Sequence, residues 1–325
     1  MSVDVHAHII VPEILREAAP AETWRPRVLW EDGKQWVEYG GRRIGSAVHE
    51  FVDADKILAE MTARGVNGAL LCPWVSLVRY DAPAAEALAS CEVQNDALAA
   101  LSKKHAGSVA ALGLVPLQDV GLAVRELERL MGLGLKGVEI GTHVNGVYPG
   151  DARFWPFWEA CEALDTFVFV HPVEGGGREE LKAHYLWNVI GNPMETTVAA
   201  AHLILNGVLG KHPGLKILLA HGGGGLPALR GRLEHGFKVR PEIQRAISEP
   251  PLQTIRRFYF DTITHEPRLL RDLVETVGAE RVLMGSDYPF DMGVERPIEA
   301  LQGARLQGEE LVQGKTAAGL FDLDN

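Results

Sequence analysis

From residue 53 onward the chain alternates short apolar runs with longer helical patterns, and this alternation constrains the fold more than any other feature. A helix is expected over 53–64, where Asp53 can cap the N-terminus, Ile57, Leu58 and Met61 recur at helical spacing, and Gly65 closes the pattern. Further apolar runs lie at 68–72, 109–115, 137–140, 167–170, 216–220, 258–260 and 281–284. Between them lie helical patterns at 84–105, 119–133, 154–164, 193–209, 226–247 (with a break near Pro241) and 267–277. With Val3-Asp4-Val5 at the N-terminus, the chain reads as eight strands, each followed by a helix. Strands apolar on both faces and separated by helices form a parallel sheet covered by helices. Eight such units close into a (β/α)8 TIM barrel, an α/β fold of about 250 residues plus insertions. An open doubly wound sheet is the rival, but no glycine-rich phosphate turn comes after the first strand.

The 325 residues, 46% of them hydrophobic, are thus expected to form a single barrel domain over 1–325, with 12–52 as a small β-hairpin insertion after the first strand. In that insertion Asp32-Gly33 separates two β-prone runs, the short-range signal of a hairpin. Trp24, Trp30 and Trp36 supply more apolar area than a plain surface loop carries, which points to a lid or an interface. A net charge of −11 without a Lys/Arg run gives nucleic-acid binding nothing to rest on. No apolar run approaches the length of a membrane span, and no signal-peptide pattern is present. Cys72, Cys91 and Cys161 are odd in number and far apart, as suits a reducing compartment, so a cytoplasmic location is expected.

The C-terminal ends of barrel strands carry the chemistry, so the residues just after each apolar run are informative. The first run leads into His6-Ala7-His8, two imidazoles at i and i+2 that share a face of a strand. The fifth ends in His171 before Pro172, the sixth in His221 before four glycines, and the eighth in Asp287 within Gly285-Ser-Asp-Tyr-Pro-Phe290. Each alone reads as a core histidine or a capping Asp. Together they supply imidazole nitrogens and a carboxylate, a sensible set for a divalent ion with a position left open for water.

On Asp4-Val-His-Ala-His8, Val115-Pro-Leu-Gln-Asp119, Val170-His-Pro172, Pro193-Met-Glu-Thr196, Ala220-His-Gly-Gly-Gly-Gly225 and Ser286-Asp-Tyr-Pro-Phe290, the chain resembles the amidohydrolase superfamily. The resemblance is to its branch of aminocarboxymuconate-semialdehyde decarboxylase and related nonoxidative decarboxylases, and it spans nearly the whole chain. It implies that His6, His8, His171 and Asp287 bind one divalent metal, zinc first and manganese, iron(II) or cobalt(II) as alternatives. It further implies that His221 acts as acid/base and that, with Asp287, it orients the metal-activated water and moves its protons. The lysine that bridges two metals in other members is absent from Gly137-Val-Glu-Ile-Gly-Thr142, which favours a single metal; Glu139 either faces the barrel interior or helices as a polar strand residue, or replaces the bridge.

The resemblance also implies a homodimer or higher homo-oligomer in which Arg232 reaches a neighbouring subunit's site and a second arginine comes from the insertion, Arg43 in preference to Arg42. Arg230 reads as a solvated helix residue. The family's tryptophan after His-Pro is replaced here by Val173-Glu-Gly-Gly-Gly177, an acidic and flexible loop. Phe290 keeps the aromatic after Tyr-Pro, and Trp187 either lines the pocket or packs beneath the loop. His265 reads as a surface histidine or a further pocket residue. The implied activity is metal-dependent decarboxylation of a small unsaturated or aromatic carboxylate, 2-amino-3-carboxymuconate 6-semialdehyde or a close analogue, within aromatic compound catabolism. A hydrolase or hydratase on the same fold is the alternative, since metal ligands do not separate these chemistries.

Overall fold

β1, Val3–Ile9, is buried along its whole length, and in the computed structural model it opens a barrel described over residues 1–19, 22–31, 34–39, 42–45, 51–173 and 178–324. The chain then leaves the barrel for an antiparallel sheet of β2 (Arg27–Glu31), β3 (Lys34–Tyr39) and β4 (Arg42–Gly45). β2 and β3 pair from Arg27↔Glu38 to Glu31↔Lys34, and β4 adds a third strand where a simple hairpin was expected. Asp32 and Gly33, the expected turn, lie outside the described residues, as does the 174–177 stretch.

Seven further parallel strands then alternate with helices. They are β5 (Gly68–Pro73), β6 (Val109–Ala111), β7 (Gly137–Gly141), β8 (Phe167–His171), β9 (Lys216–Leu219), β10 (Tyr259–Asp261) and β11 (Val282–Leu283). The helices packed outside them are α1 (Ala54–Ala63), α2 (Ala84–Lys104), α3 (Val120–Gly132), α4 (Trp155–Ala163), α5 (Asn192–Leu205), α6 (Leu226–Val239), α7 (Pro267–Val277) and α8 (Pro297–Ala304). Their starts reflect local chemistry. Asp53 and Asp119 accept from the backbone N–H of Lys56 and Leu122, which satisfies a free donor at each helix N-terminus. The helix expected over 193–209 ends earlier, at Leu205, because Gly207 turns left-handed at φ +70°.

The strands order as β1-β5-β6 and β11-β10-β9-β8-β7. Two seams join these groups. Gly113 bridges Val138 in parallel, with Gly113 N–H donating to Gly137 O at 2.8 Å. Ala7 bridges Tyr288, with His8 N–H donating to Tyr288 O at 2.7 Å and Val5 N–H to Met284 O at 2.9 Å. Hydrogen bonds therefore run right round the eight-stranded cylinder, which leaves the barrel itself no free sheet edge.

Inside lie Val3, Val5, Leu70, Ala110, Phe167, Phe169, Leu218 and Leu283, closed below by Phe321 and Leu323 near the C-terminus. Ala7, Ile9, Val138, Ile140, Val168 and Val170 face the helices instead. β1 thus changes faces midway. Against β5 it places Asp4↔Ala69 but Ala7↔Leu71, so one extra residue is accommodated between them. That bulge lets Val3 and Val5 fill the lumen while His6 and His8, one position out of step, also point into it. Cys72, Cys91 and Cys161 are buried free thiols. Among the described residues no helix is long and apolar enough to cross a membrane.

Candidate metal centre

The C-terminal ends of β1, β8, β9 and β11 deliver His6, His8, His171, His221 and Asp287 to one place. Among the described residues, His6, His171, His221 and Asp287 each offer a donor atom, all within 4.8 Å of one another. His8 joins at the edge, its Nε2 lying 3.1 Å from His6 Nε2 and 3.2 Å from Asp287 Oδ1. His6 Nε2 is 3.3 Å from the same oxygen, and His221 Nε2 is 3.4 Å from Asp287 Oδ2. The five residues expected from sequence are therefore together.

Their hydrogen bonds decide which atoms face inward. His6 Nδ1 donates to Asp261 Oδ2 at 2.7 Å, and His171 Nδ1 to Pro172 O at 3.0 Å. Each ring consequently turns its Nε2 lone pair toward the cluster. Among the described residues, His171 Nε2 and Asp287 Oδ1 are buried with no hydrogen-bond partner. Buried acceptors converging without a donor among them suit a cation, and imidazole with carboxylate suits a first-row divalent ion. The donor set fits a metal.

The electrostatics agree. Burial pulls the His6 pKa down, but the Asp287 charge, the hydrogen bond to Asp261 and the nearness of both carboxylates overcome it and push it up to about 10. Burial acts to raise Asp287, yet the charge of His6 and then the nearby imidazoles of His221, His6 and His8 hold it well below the usual carboxylate range. Burial, then repulsion from the other imidazoles, drops His171 well below the ordinary histidine value. These residues hold one strong demand for positive charge among them.

Asp261 was not singled out in the sequence, though it ends an apolar strand just as His171 does. Its Oδ2 accepts from His6 Nδ1 and from His221 N–H at 2.8 Å; its Oδ1 accepts from the N–H of Gly222 at 2.7 Å and of Ile263 at 3.0 Å. One buried carboxylate thus ties a metal-facing imidazole to the backbone that carries His221. Asp4 is similarly placed: it accepts from Ser286 Oγ and, at 3.1 Å, Ser286 N–H, clamping β1 to the loop bearing Asp287. Burial pushes Asp4 up to about 6.

His221 and Asp287 sit at φ +56° and +61°, and Gly222, Gly223 and Gly224 continue at positive φ. A Cβ on Gly224 would lie 2.1 Å from Pro193 O, so only glycine lets this loop meet the start of α5. Thr197 Oγ1 accepts from Gly225 N–H at 2.7 Å and locks the same contact. Beyond His221 and Asp287 opens a cavity of about 420 Å³, walled by Asn188, Asn192, Pro193, Pro227, Ile263 and Leu269 among others.

The other expected residues are scattered. Phe290 packs edge-on against His8 with ring centres 5.2 Å apart, beside the metal-facing group. Trp187 is exposed and stands edge-to-face on Tyr185 at 4.8 Å. Arg232 lies exposed on α6, with no ion-pair partner among the described residues. Arg230 pairs with Asp272 at 2.8 Å. Arg43 is engaged in the three-stranded sheet, paired with Glu31 at 2.5 Å and stacked over Trp36; the side chain of Arg42 lies outside the described residues. Glu139 is buried on β7 between Val138 and Ile140, which face the helices, so it points into the barrel, with His171 Nδ1 3.9 Å away. Burial holds its carboxyl well above the usual range. His265, exposed at φ +54°, lines the cavity rim.

The amidohydrolase family profile matches residues 3–315. The 2-amino-3-carboxymuconate-6-semialdehyde decarboxylase of Dictyostelium discoideum is 32% identical over 277 residues, covering 84% of this chain and 77% of that protein. The gamma-resorcylate decarboxylase of a Polaromonas species is 31% identical over 294 residues, covering 84% and 86%. The solved dihydroxybenzoic acid decarboxylase of Polaromonas sp. JS666, with bound manganese and the inhibitor 2-nitroresorcinol, superposes with a TM-score of 0.81 at 23% identity over 99% of this chain and 96% of that one. That last likeness concerns the fold.

Proposed function

This chain belongs to the amidohydrolase family, and on that premise we propose that it is a metal-dependent nonoxidative decarboxylase of a small unsaturated or aromatic carboxylate. The observation that carries this reading is the convergence of His6, His8, His171, His221 and Asp287 at the mouth of the barrel beside a largely apolar cavity. The relatives named above are decarboxylases, and the first of them points to 2-amino-3-carboxymuconate 6-semialdehyde or a close analogue as substrate.

In this reading His6, His8, His171 and Asp287 hold one divalent ion, zinc first by ligand type, with manganese supported by the Polaromonas enzyme. Such an ion supplies positive charge that anchors substrate oxygens and brings the pKa of a water ligand toward neutrality. Asp261 keeps His6 in the tautomer that presents Nε2. His221 moves the proton. Its Nδ1 has no hydrogen-bond partner among the described residues, whereas the Nδ1 atoms of His6 and His171 are tied to Asp261 and Pro172. The electron pair of the breaking bond to the carboxylate carbon stays on the substrate carbon, which takes the proton from His221 as CO2 leaves. Phe290 and Trp187 flank the substrate side, and Arg232 and Arg43 provide cationic contacts to its carboxylates, Arg232 across a homodimer interface.

The test is CO2 release by metal-analysed protein loaded with zinc or with manganese, across 2-amino-3-carboxymuconate 6-semialdehyde and several ortho-hydroxybenzoates. Release that disappears on chelation is the expected result. No release from protein holding about one metal per chain would overturn the decarboxylase reading in favour of hydrolysis or hydration at the same centre.

A further inference from the structure

We propose that the cavity beside His221 and Asp287 continues as an apolar crevice between α6 and α7 that receives a hydrocarbon substituent of the substrate. The inference rests on the decarboxylase reading above and narrows its substrate class to carboxylates that carry an alkyl or aryl group away from the reacting end.

His221 and Asp287 form the inner end of this cavity. Farther out, Pro227 and Ala228 in the first turn of α6 face Leu269, Asp272 and Leu273 of α7. Those three α7 residues stand at i, i+3 and i+4, so they make one stripe along the helix. The stripe runs outward from Leu273, 1% exposed, to Leu269, 56% exposed. One space thus joins the metal-facing cluster to the surface between two helices.

That space is larger than the chemistry at its inner end requires. A cavity of about 150 Å³ already holds a benzene ring, and this one measures about 420 Å³. Arg43, Trp187, Arg232 and Phe290, the substrate contacts that the resemblance implies, do not line it. The crevice is therefore room beyond those contacts.

Its walls select the occupant. Pro227, Ala228, Ile263, Leu269, Leu273 and Met292 present carbon. No lysine or arginine lines the crevice among the described residues, so a second carboxylate would leave water without a counter-charge there. Asp272 at the outer end is already paired with Arg230 at 2.8 Å, and a cationic substituent would have to displace that arginine. Hydrocarbon meets neither penalty, and it gains free energy in proportion to the apolar area that it and Leu269 withdraw from water.

The experiment measures, by calorimetry on zinc-loaded protein, the binding of straight-chain alkylphosphonates from methyl to octyl. None can lose CO2, so the result does not depend on turnover; the head group meets the metal-facing cluster while the chain probes the crevice. Affinity is expected to rise about fourfold per methylene and to level off once the chain passes Leu269 into solvent. Ala228 and Leu269 are both exposed, so their substitution leaves the fold intact. Ala228→Phe fills the crevice and should end the rise at the shortest chains, whereas Leu269→Ser should weaken only the longer ones, by several-fold. Affinity that does not rise with chain length, as when a second copy of the chain covers the crevice, overturns the proposal, and so does a rise unchanged in both variants. If carboxylates release CO2 while phosphonate affinity ignores chain length, the crevice is refuted and the decarboxylase reading stands. A rise blunted by both substitutions, with no CO2 from any carboxylate, alkyl-bearing ones included, refutes that reading and keeps the crevice.

Discussion

At His6, burial favours the neutral ring, the carboxylates of Asp287 and Asp261 favour the charged one, and Nδ1–H is directed at Asp261. Asp261 accepts four hydrogen bonds, two of them on the oxygen shared by His6 and the His221 backbone. Asp261→Asn keeps the shape but turns one acceptor into a donor, which then faces N–H groups. Metal affinity is expected to fall about 10–100-fold, read by competition against a chromogenic chelator; unchanged affinity would show that His6 needs no such support. His171 and His221 should separate by role. His171→Ala should lose bound metal, whereas His221→Ala should keep wild-type metal content and lose about 10²–10⁴ in kcat. Equal metal loss in both would make His221 a ligand instead.

Among elements, the glycine loop after β9 and the start of α5 act as one device, since backbone meets backbone at Gly224 and Pro193. Gly224→Ala places a Cβ against a carbonyl at φ +61°. It should destabilise the fold by about 2 kcal/mol or more, seen as a lower urea midpoint. A neutral outcome would mean the two elements can part without loss. Helix boundaries here were legible from caps and periodicity, as at Asp53, Asp119 and the break before Pro241. Strand ends were not. The apolar run over 109–115 forms a strand only to Ala111; Leu112 N–H still donates to Leu71 O and Gly113 still bonds the β7 side, but Leu114 N–H leaves the sheet for Asn95 Oδ1.

For the whole molecule, the metal-facing residues come from strands at opposite ends of the chain, so whatever they bind couples β1 to β8 and β11. A ligand that binds only the folded state at 100 times its Kd adds about 2.7 kcal/mol of stability. Chelation should therefore lower the Tm by several degrees, restored by zinc or manganese. An unchanged Tm would place the metal outside the folded core or exclude it. Arg232 tests assembly: Arg232→Ala and His171→Ala, each impaired alone, should regain part of wild-type activity when mixed if the arginine serves a neighbouring subunit. No recovery after exchange of subunits would confine Arg232 to its own chain.

The local pattern alone determined the eightfold alternation, the helix caps and which residues follow each apolar run, because periodicity and capping depend on near neighbours. His6, His8, His171, His221 and Asp287 were identifiable on that basis. What only the tertiary structure decided is which way they face and what holds them. Val3 and Val5 would leave His6 and His8 on the helix side if β1 ran in regular register; a one-residue bulge against β5 turns them into the lumen. Asp261 gains its meaning only from residues tens to hundreds of positions away, through contacts that the closing of the cylinder creates. A bulge is a property of two strands together, and a hydrogen bond across a barrel is a property of its closure, so neither leaves a mark on the sequence within either partner.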